Sequence, residues 1–411
     1  MMNSNICIGL EVRFKLAATK KLFSSAYVKH ETPNTSIAYF DAALPGSMPA
    51  LNPEALRLAV QGALALNCDI ASVCQFDRKL TFHPDSLAGY QITQHEMPLG
   101  ENGYIDLSQN LDGVKNIRIP IQSVKLEQDI EESVRMEHPK KHFLNFNRAG
   151  SSMIKIVVPP CLHDEQIAGA LLYKLRMVLL HAGLLYHETE LDGMQCRVSI
   201  SSNTESSNHK NLISGVKPFE TELENLFLIK NVMAAIQSEV RRQFSPAEEN
   251  DPFQKQVRAF DEKTGRTFFL REKPLFENYL YVPETDIPPI SLSKSYIEKL
   301  KQTMCPQPDA LYATLTSKPY MLSNSEARAL LCYAKGYSYF TSVWDAIISQ
   351  KSVLCNTADD LQRSLASSIV TALSSNGSER LESVPPKQLA DFILNKGLKK
   401  GSLLIFKNSI Q

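Results

Sequence analysis

The chain has 411 residues, 43% hydrophobic and 21% charged, which suits a folded protein of two or three domains and excludes a disordered, collagen-like or coiled-coil chain. Forty-four Lys and Arg balance forty-four Asp and Glu, so bulk charge does not mark a nucleic-acid binder. No apolar run reaches the roughly 20 residues that cross a bilayer; Leu171–Leu180 is the most apolar stretch, and Lys174 and Arg176 break it. No export signal is read, and the first strand starts too early to leave room for a transit sequence. A cytoplasmic protein without a membrane partner is expected.

The first element is a strand. Ile8, Leu10, Val12 and Phe14 alternate with Glu11 and Arg13, which puts an acid and a base on its polar face. Asn52-Pro53-Glu54 supplies an N-cap, a proline at the first turn and an early acid, predicting a helix to Asn67. Alternation recurs at Ile117, Ile119 and Ile121, then at Val124 and Leu126. It returns at Ile154, Ile156 and Val158, and at Cys196, Val198 and Ile200. These predict half-buried strands of an antiparallel sheet. Asp164 caps a helix with the stripe Ile167, Leu171, Leu175 and Val178, ended by Gly183. Leu226, Ile229, Met233, Ile236, Val240 and Phe244 predict another helix. Residues 258–274 predict a hairpin turning at Asp261–Gly265.

"VPETDIPPI" at 282–290 carries three prolines and reads as a boundary. Beyond it the pattern is helical: Ser295–Met304, Ser325–Lys335, and further segments to Asn395. The expected class is α+β: an antiparallel-sheet domain over 1–290 and a small all-α domain over 291–411.

Eight cysteines include no C-x-x-C pair, so neither a zinc knuckle nor disulfides are expected. His138 and His142 are four apart, but Pro139 between them argues against the helix that a shared metal would need. Lys396, Lys399, Lys400 and Lys407 form the one basic cluster without acids, read as a solvated face. No P-loop, GxGxxG, GxSxG or HExxH pattern is present.

A series of ordered stretches carries more information. They are Ile8-Gly9-Leu10-Glu11-Val12, Lys21-Leu22-Phe23, Thr32-Pro33-Asn34-Thr35, Leu44-Pro45-Gly46 and Leu64-Ala65-Leu66-Asn67-Cys68. Phe76-Asp77-Arg78-Lys79, Gly89-Tyr90-Gln91-Ile92, Asn147-Arg148-Ala149-Gly150 and Phe260-Asp261-Glu262-Lys263-Thr264-Gly265 follow, then more loosely Tyr281-Val282-Pro283-Glu284. In order and spacing these resemble the B subunit of the tRNA-dependent glutamyl/aspartyl amidotransferase, over residues 5–290.

The resemblance implies a core of the glutamine synthetase and guanido kinase type, followed by a helical domain and a tRNA-binding tail. It implies ATP- and Mg²⁺-dependent phosphorylation of the side-chain carboxylate of Glu on tRNA(Gln) or of Asp on tRNA(Asn). Ammonia from the glutaminase A subunit then displaces the phosphate, and a small C subunit clasps the pair. Phosphorylation supplies the leaving group that a carboxylate lacks.

The chain departs from that pattern at the metal site. The family's Glu-Val-His reads Glu11-Val12-Arg13 here. A second acid aligns with Glu127, but a third aligns with Lys155. Glu11, Glu127, Arg13 and Lys155 sum to zero charge, where the family places three carboxylates. Mg²⁺ prefers carboxylate oxygens and water, so no metal ligand is assigned, and Arg13 and Lys155 are expected to pair with the two acids.

The family's zinc cysteines align with Ser24, Ala26, Ala38 and Asp41; Glu222 stands where the family has lysine, and the tail is expected to be missing. Arg78, Lys79, Tyr90, Gln91, Arg148 and Arg258 are candidates to hold phosphate or a tRNA end. Three readings stay open: an ATP-using B-type subunit; a catalytically silent scaffold or tRNA- or partner-binding relative; and a different kinase or ligase on the same fold.

Overall fold

A computed structural model describes residues 6–28, 32–81, 88–130, 132–136, 141–185, 194–202, 220–243, 255–272, 279–333, 335–350, 366–367, 369–370 and 385–396. Of the features singled out in the sequence, Cys355, His138, Phe244, Lys399, Lys400 and Lys407 lie outside the described residues.

In chain order the first strands are β1 (Ile6–Lys15), β2 (Asp69–Ile70), β3 (Val73–Cys74), β4 (Asp77–Leu80), β5 (Tyr90–Thr93) and β6 (Gly100–Leu107). Next come β7 (Ile117–Gln128), β8 (Glu132–Met136), β9 (Lys141–Asn145), β10 (Ser152–Leu162) and β11 (Met194–Ser202). The last are β12 (Glu220–Leu226), β13 (Gln256–Asp261), β14 (Arg266–Glu272), β15 (Leu280–Pro283) and β16 (Ile290–Ser291). The helices are α1 (Pro53–Ala65), α2 (Gln109–Asp112), α3 (Glu165–His181), α4 (Ile229–Gln243) and α5 (Lys294–Thr303). They continue with α6 (Pro308–Thr316), α7 (Asn324–Leu331), α8 (Gly336–Gln350) and α9 (Pro386–Lys396).

The class is mixed α and β, built on a nine-stranded sheet in the order β14-β13-β12-β11-β1-β10-β7-β6-β2. Every neighbouring pair is antiparallel except β12 and β13. Alternation sets its two faces. Ile8, Leu10, Val12 and Phe14 of β1 are buried with Val124 and Leu126 of β7, Ile154 and Ile156 of β10, and Val198 and Ile200 of β11. Helix α1 packs against β7 and β10, and α4 against β11, β12 and β14. A three-stranded sheet, β15-β4-β5, lies beside β7.

Local chemistry explains the helix ends. Asn52 Oδ1 accepts from the Glu54 amide at 3.0 Å, and Pro53 opens α1. Asp164 Oδ1 accepts from the Gln166 amide at 2.8 Å at the head of α3. Gly183, with φ +74°, follows its end. The hairpin turns where expected: the Gly265 amide donates to the Asp261 carbonyl at 2.9 Å.

Two expectations shift. Leu226 belongs to β12, paired opposite Cys196 of β11, and the helix begins only at Ile229. The helix expected from Ser325 is capped two residues earlier, by a Ser323–Glu326 capping box.

The chain divides into two compact units. The first holds Met1–Leu107, Val114–Lys174 and Leu184–Met304; the second holds Ser108–Gly113, Leu175–Gly183 and Cys305–Gln411. The second has its own core of Leu111, Leu315, Phe340, Val343, Trp344 and Ile347, among others. Within it Tyr320 meets Phe340 and Trp344 edge-on at 5.2 and 5.1 Å.

Candidate functional site

The polar face of the central sheet carries a charged lattice. Glu11 stands opposite Arg197 of β11, and Arg13 opposite Lys155 of β10. Each cation reaches past its like-charged neighbour to an acid. Arg13 Nε lies 3.1 Å from Glu127 Oε2, and Lys155 Nζ lies 2.9 Å from Glu11 Oε2 and 3.9 Å from Glu127 Oε1. Thr93 donates its hydroxyl to Glu127 Oε1 at 2.8 Å. The lattice continues sideways, where Arg197 and Arg271 both hold the Glu224 carboxylate, at 2.8 and 3.0 Å.

Burial alone would raise the pKa of the Glu127 carboxyl; Lys155 and Arg13 outweigh it and hold the group down at about 2. Burial likewise opposes ionisation of Glu11, and Lys155, Arg197 and Arg13 bring its pKa below the usual carboxylate range. Both acids are carboxylates at neutral pH, each committed to a cation.

The other candidates separate. Arg78 is bidentate to Glu284 at 2.7 Å, bonds Asp286 at 2.6 Å, and lies over the Tyr90 ring at 4.6 Å. Arg148 pairs with Asp129 at 2.5 Å. Gln91 donates to the Gln128 carbonyl at 2.7 Å. Arg258 is buried away from this lattice. It bonds the Thr267 carbonyl at 3.0 Å and Gln256 at 3.1 Å, and lies 3.5 Å from Glu239. These three arginines are neutralised within the protein.

Lys79 is different. Its Nζ lies 3.7 Å from the centre of the exposed Tyr279 ring, with no carboxylate partner among the described residues. Burial, with the cations of Arg197, Lys155 and Arg13 nearby, pushes its pKa down despite Glu127. Lys125 shares this environment, its pKa lowered by burial and by Lys155. It was not among the sequence candidates. It sits two residues before Glu127 on one strand, so alternation puts it on the same face.

This donor set does not suit a divalent cation. Mg²⁺ needs carboxylate oxygens free to face it, and here both acids are met by Arg13 and Lys155. Among the described residues no group of three or more His, Cys, Asp and Glu could hold a metal ion. The four positions aligned with zinc ligands are organised differently again. Asp41 accepts from Lys21 Nζ at 2.9 Å, Ser24 Oγ at 3.1 Å and the Ala38 amide at 2.9 Å. Lys21 also donates to the Phe146 carbonyl at 2.8 Å. The two charged side chains are 0% and 3% exposed, so a buried ion pair ties this loop together.

Residues 6–298 match the model of the GatB/GatE catalytic domain. The chain is similar to proteins named as the B subunits of mitochondrial glutamyl-tRNA(Gln) amidotransferases. The one from Schizosaccharomyces japonicus is 38% identical over 337 residues, covering 82% of this chain and 65% of the relative. The one from Yarrowia lipolytica is 33% identical over 368 residues, 83% of this chain and 64% of the relative. The one from Naegleria gruberi is 32% identical over 374 residues, 89% and 71%. The chain thus spans a little under two thirds of the length of the first two. The mitochondrial naming of these relatives overturns the cytoplasmic expectation. That expectation leaned on where the first strand begins, and a strand's position is set by folding, not by compartment.

Proposed function

The chain belongs to the GatB/GatE family, and we propose that it serves as a B-type subunit of a mitochondrial amidotransferase acting on Glu-tRNA(Gln), without activating the carboxylate itself. One observation carries this: the two retained acids, Glu11 and Glu127, are occupied by Lys155 and Arg13. Phosphoryl transfer from ATP relies on metal ions bridging the phosphates and neutralising developing charge, and neither retained acid is left to hold one.

The chain then acts by binding. Its core is of the glutamine synthetase and guanido kinase type over 1–290, with a helical domain over 291–411. It receives the aminoacyl end of the tRNA and docks the glutaminase A subunit and the C subunit. The ordered motifs that carry the family match still build a packed framework around Arg78 and Tyr90, which supports a retained scaffold.

The second reading is an ATP-using subunit, favoured by the family match across 6–298. Reconstitution separates the two. The chain is combined with A and C subunits, Glu-tRNA(Gln), glutamine, ATP and Mg²⁺, and Gln-tRNA(Gln) is measured. The account predicts stable association with the partners and no Gln-tRNA(Gln). Amidation at a rate set by this chain would establish the ATP-using reading instead.

A further inference from the structure

We propose that the loop over residues 32–52, which leads into α1, is a docking knob for the glutaminase A subunit, with Tyr39, Leu44 and Met48 as its anchors. The inference rests on the reading of this chain as an amidotransferase subunit. Tyr39 is 78% exposed, Met48 62% and Leu44 48%. Backbone bonds gather them: the Leu44 amide donates to the Tyr39 carbonyl at 3.0 Å, and the Ser47 amide to the Leu44 carbonyl at 3.1 Å. Single exposed apolar side chains are ordinary on a protein surface, but a cluster of them marks a contact surface.

Hydrogen bonds fix the shape of this loop. Asn147 Oδ1 accepts from the Thr35 and Ser36 amides at 3.0 and 3.1 Å, and its Nδ2 donates to the Thr32 carbonyl at 2.8 Å. Asn34 donates to the Leu144 carbonyl at 2.9 Å and accepts from the Phe146 amide at 2.8 Å. The buried Lys21–Asp41 pair holds the middle. Ala43 takes φ +52°, a left-handed conformation that residues with a side chain rarely adopt. Such a conformation persists only where the surroundings over-determine it, as they do around loops that present side chains to a ligand. A loop fixed in this way loses little freedom on binding.

Charge selects the partner. Between Thr32 and Pro53 the only charged residue is Asp41, and its side chain is 3% exposed and paired with Lys21. The knob therefore shows no charge to solvent. Phosphate backbones are met by lysine and arginine, and anionic membrane surfaces by basic residues beside the apolar anchors; the knob offers neither. A two-fold contact with a second copy would pair the patch with itself, setting protruding side chains against protruding side chains. An uncharged surface built on Tyr and Met has the composition of the buried centre of a protein interface. A small clasping chain would take a groove or an open sheet edge, whereas protruding anchors need an apolar hollow in a folded partner. This assigns the knob to the A subunit rather than to the C subunit.

The test is biolayer interferometry between the full chain and the purified A subunit, with the C subunit present. Tyr39→Ser and Met48→Ser should each weaken association about tenfold or more, the loss expected of a central anchor. Phe269→Ser, on β14 and also exposed, should leave it unchanged. The substituted side chains face solvent, so Tm should not move, and lost association cannot be mistaken for lost folding. Sedimentation of the chain alone, a short single-stranded RNA and vesicles of phosphatidylcholine with phosphatidylglycerol are run in parallel. Association with the A subunit that neither variant weakens would overturn the inference and leave the chain's place in the assembly standing. No association between the native chain and the A subunit would overturn both. Self-association, RNA binding or vesicle binding that Tyr39→Ser abolishes would give the knob to another occupant and overturn the inference.

Discussion

Glu127 is where the electrostatics of this face converge. Its carboxylate touches Arg13 and Thr93 and lies near Lys155. A carboxyl whose pKa falls on folding stabilises the folded state above its unfolded value, and that contribution is lost as pH falls through the folded value. The ordinary value is 4.5 and the folded value about 2. About 3 kcal/mol of stability should therefore disappear between about pH 4.5 and about pH 2. Denaturant unfolding across that range measures it. Glu127→Gln should be far less stable than the native chain at pH 7, with the gap closing towards pH 2; a constant gap would contradict the assignment.

At this same scale the sequence spoke unevenly. Alternation alone put Glu11 with Arg13, and Lys155 and Glu127 on the polar sides of their strands. The buried Lys21–Asp41 pair was silent, because its partners lie 20 residues apart in a loop without periodicity. Asp129 and Glu284, which occupy Arg148 and Arg78, were equally silent. A side chain's type and spacing do not tell which distant partner will claim it.

Among the elements, the signals that succeeded were local ones: a cap and proline before α1, strict alternation in β1, β7, β10 and β11, and a turn sequence in the β13–β14 hairpin. Strand β12 was missed for a physical reason. Leu223, Leu226 and Ile229 are three apart, a spacing a helix also shows. Only pairing with β11, with Val198 opposite Leu223 and Cys196 opposite Leu226, decides for a strand. The crossing of α3 and α4 was also unreadable in advance. A Cβ on Gly169 would come 2.4 Å from Met233 Sδ and 2.9 Å from its Cγ. Gly169→Val should therefore cost about 1–3 kcal/mol through overpacking, and Met233→Ala in the same chain should recover part of it. Unchanged urea midpoints for both variants would show that the helices do not meet this closely.

Over the whole molecule, zero net charge says nothing of where the charges meet. On one sheet face Arg13, Lys155 and Arg197 interleave with Glu11 and Glu127. Bulk composition therefore could not reveal this charged face, and it gave no sign of compartment. The ordered motifs did reveal the family, because many short stretches in fixed order constrain a fold more tightly than any one of them. The same alignment located the departure, Arg13 and Lys155 at positions where metal-binding groups were expected, and the strand register brings both to Glu11 and Glu127.

The most direct measurement is a Mn²⁺ titration of the full chain followed by electron paramagnetic resonance, with Mn²⁺ standing for Mg²⁺. The account predicts that the native chain leaves the free Mn²⁺ signal unchanged at equimolar protein. Arg13→His with Lys155→Glu, which returns a histidine and a third carboxylate to the face, should diminish it. Stoichiometric uptake of Mn²⁺ by the native chain, abolished by Glu127→Gln, would contradict the claim that cations have taken the metal's place.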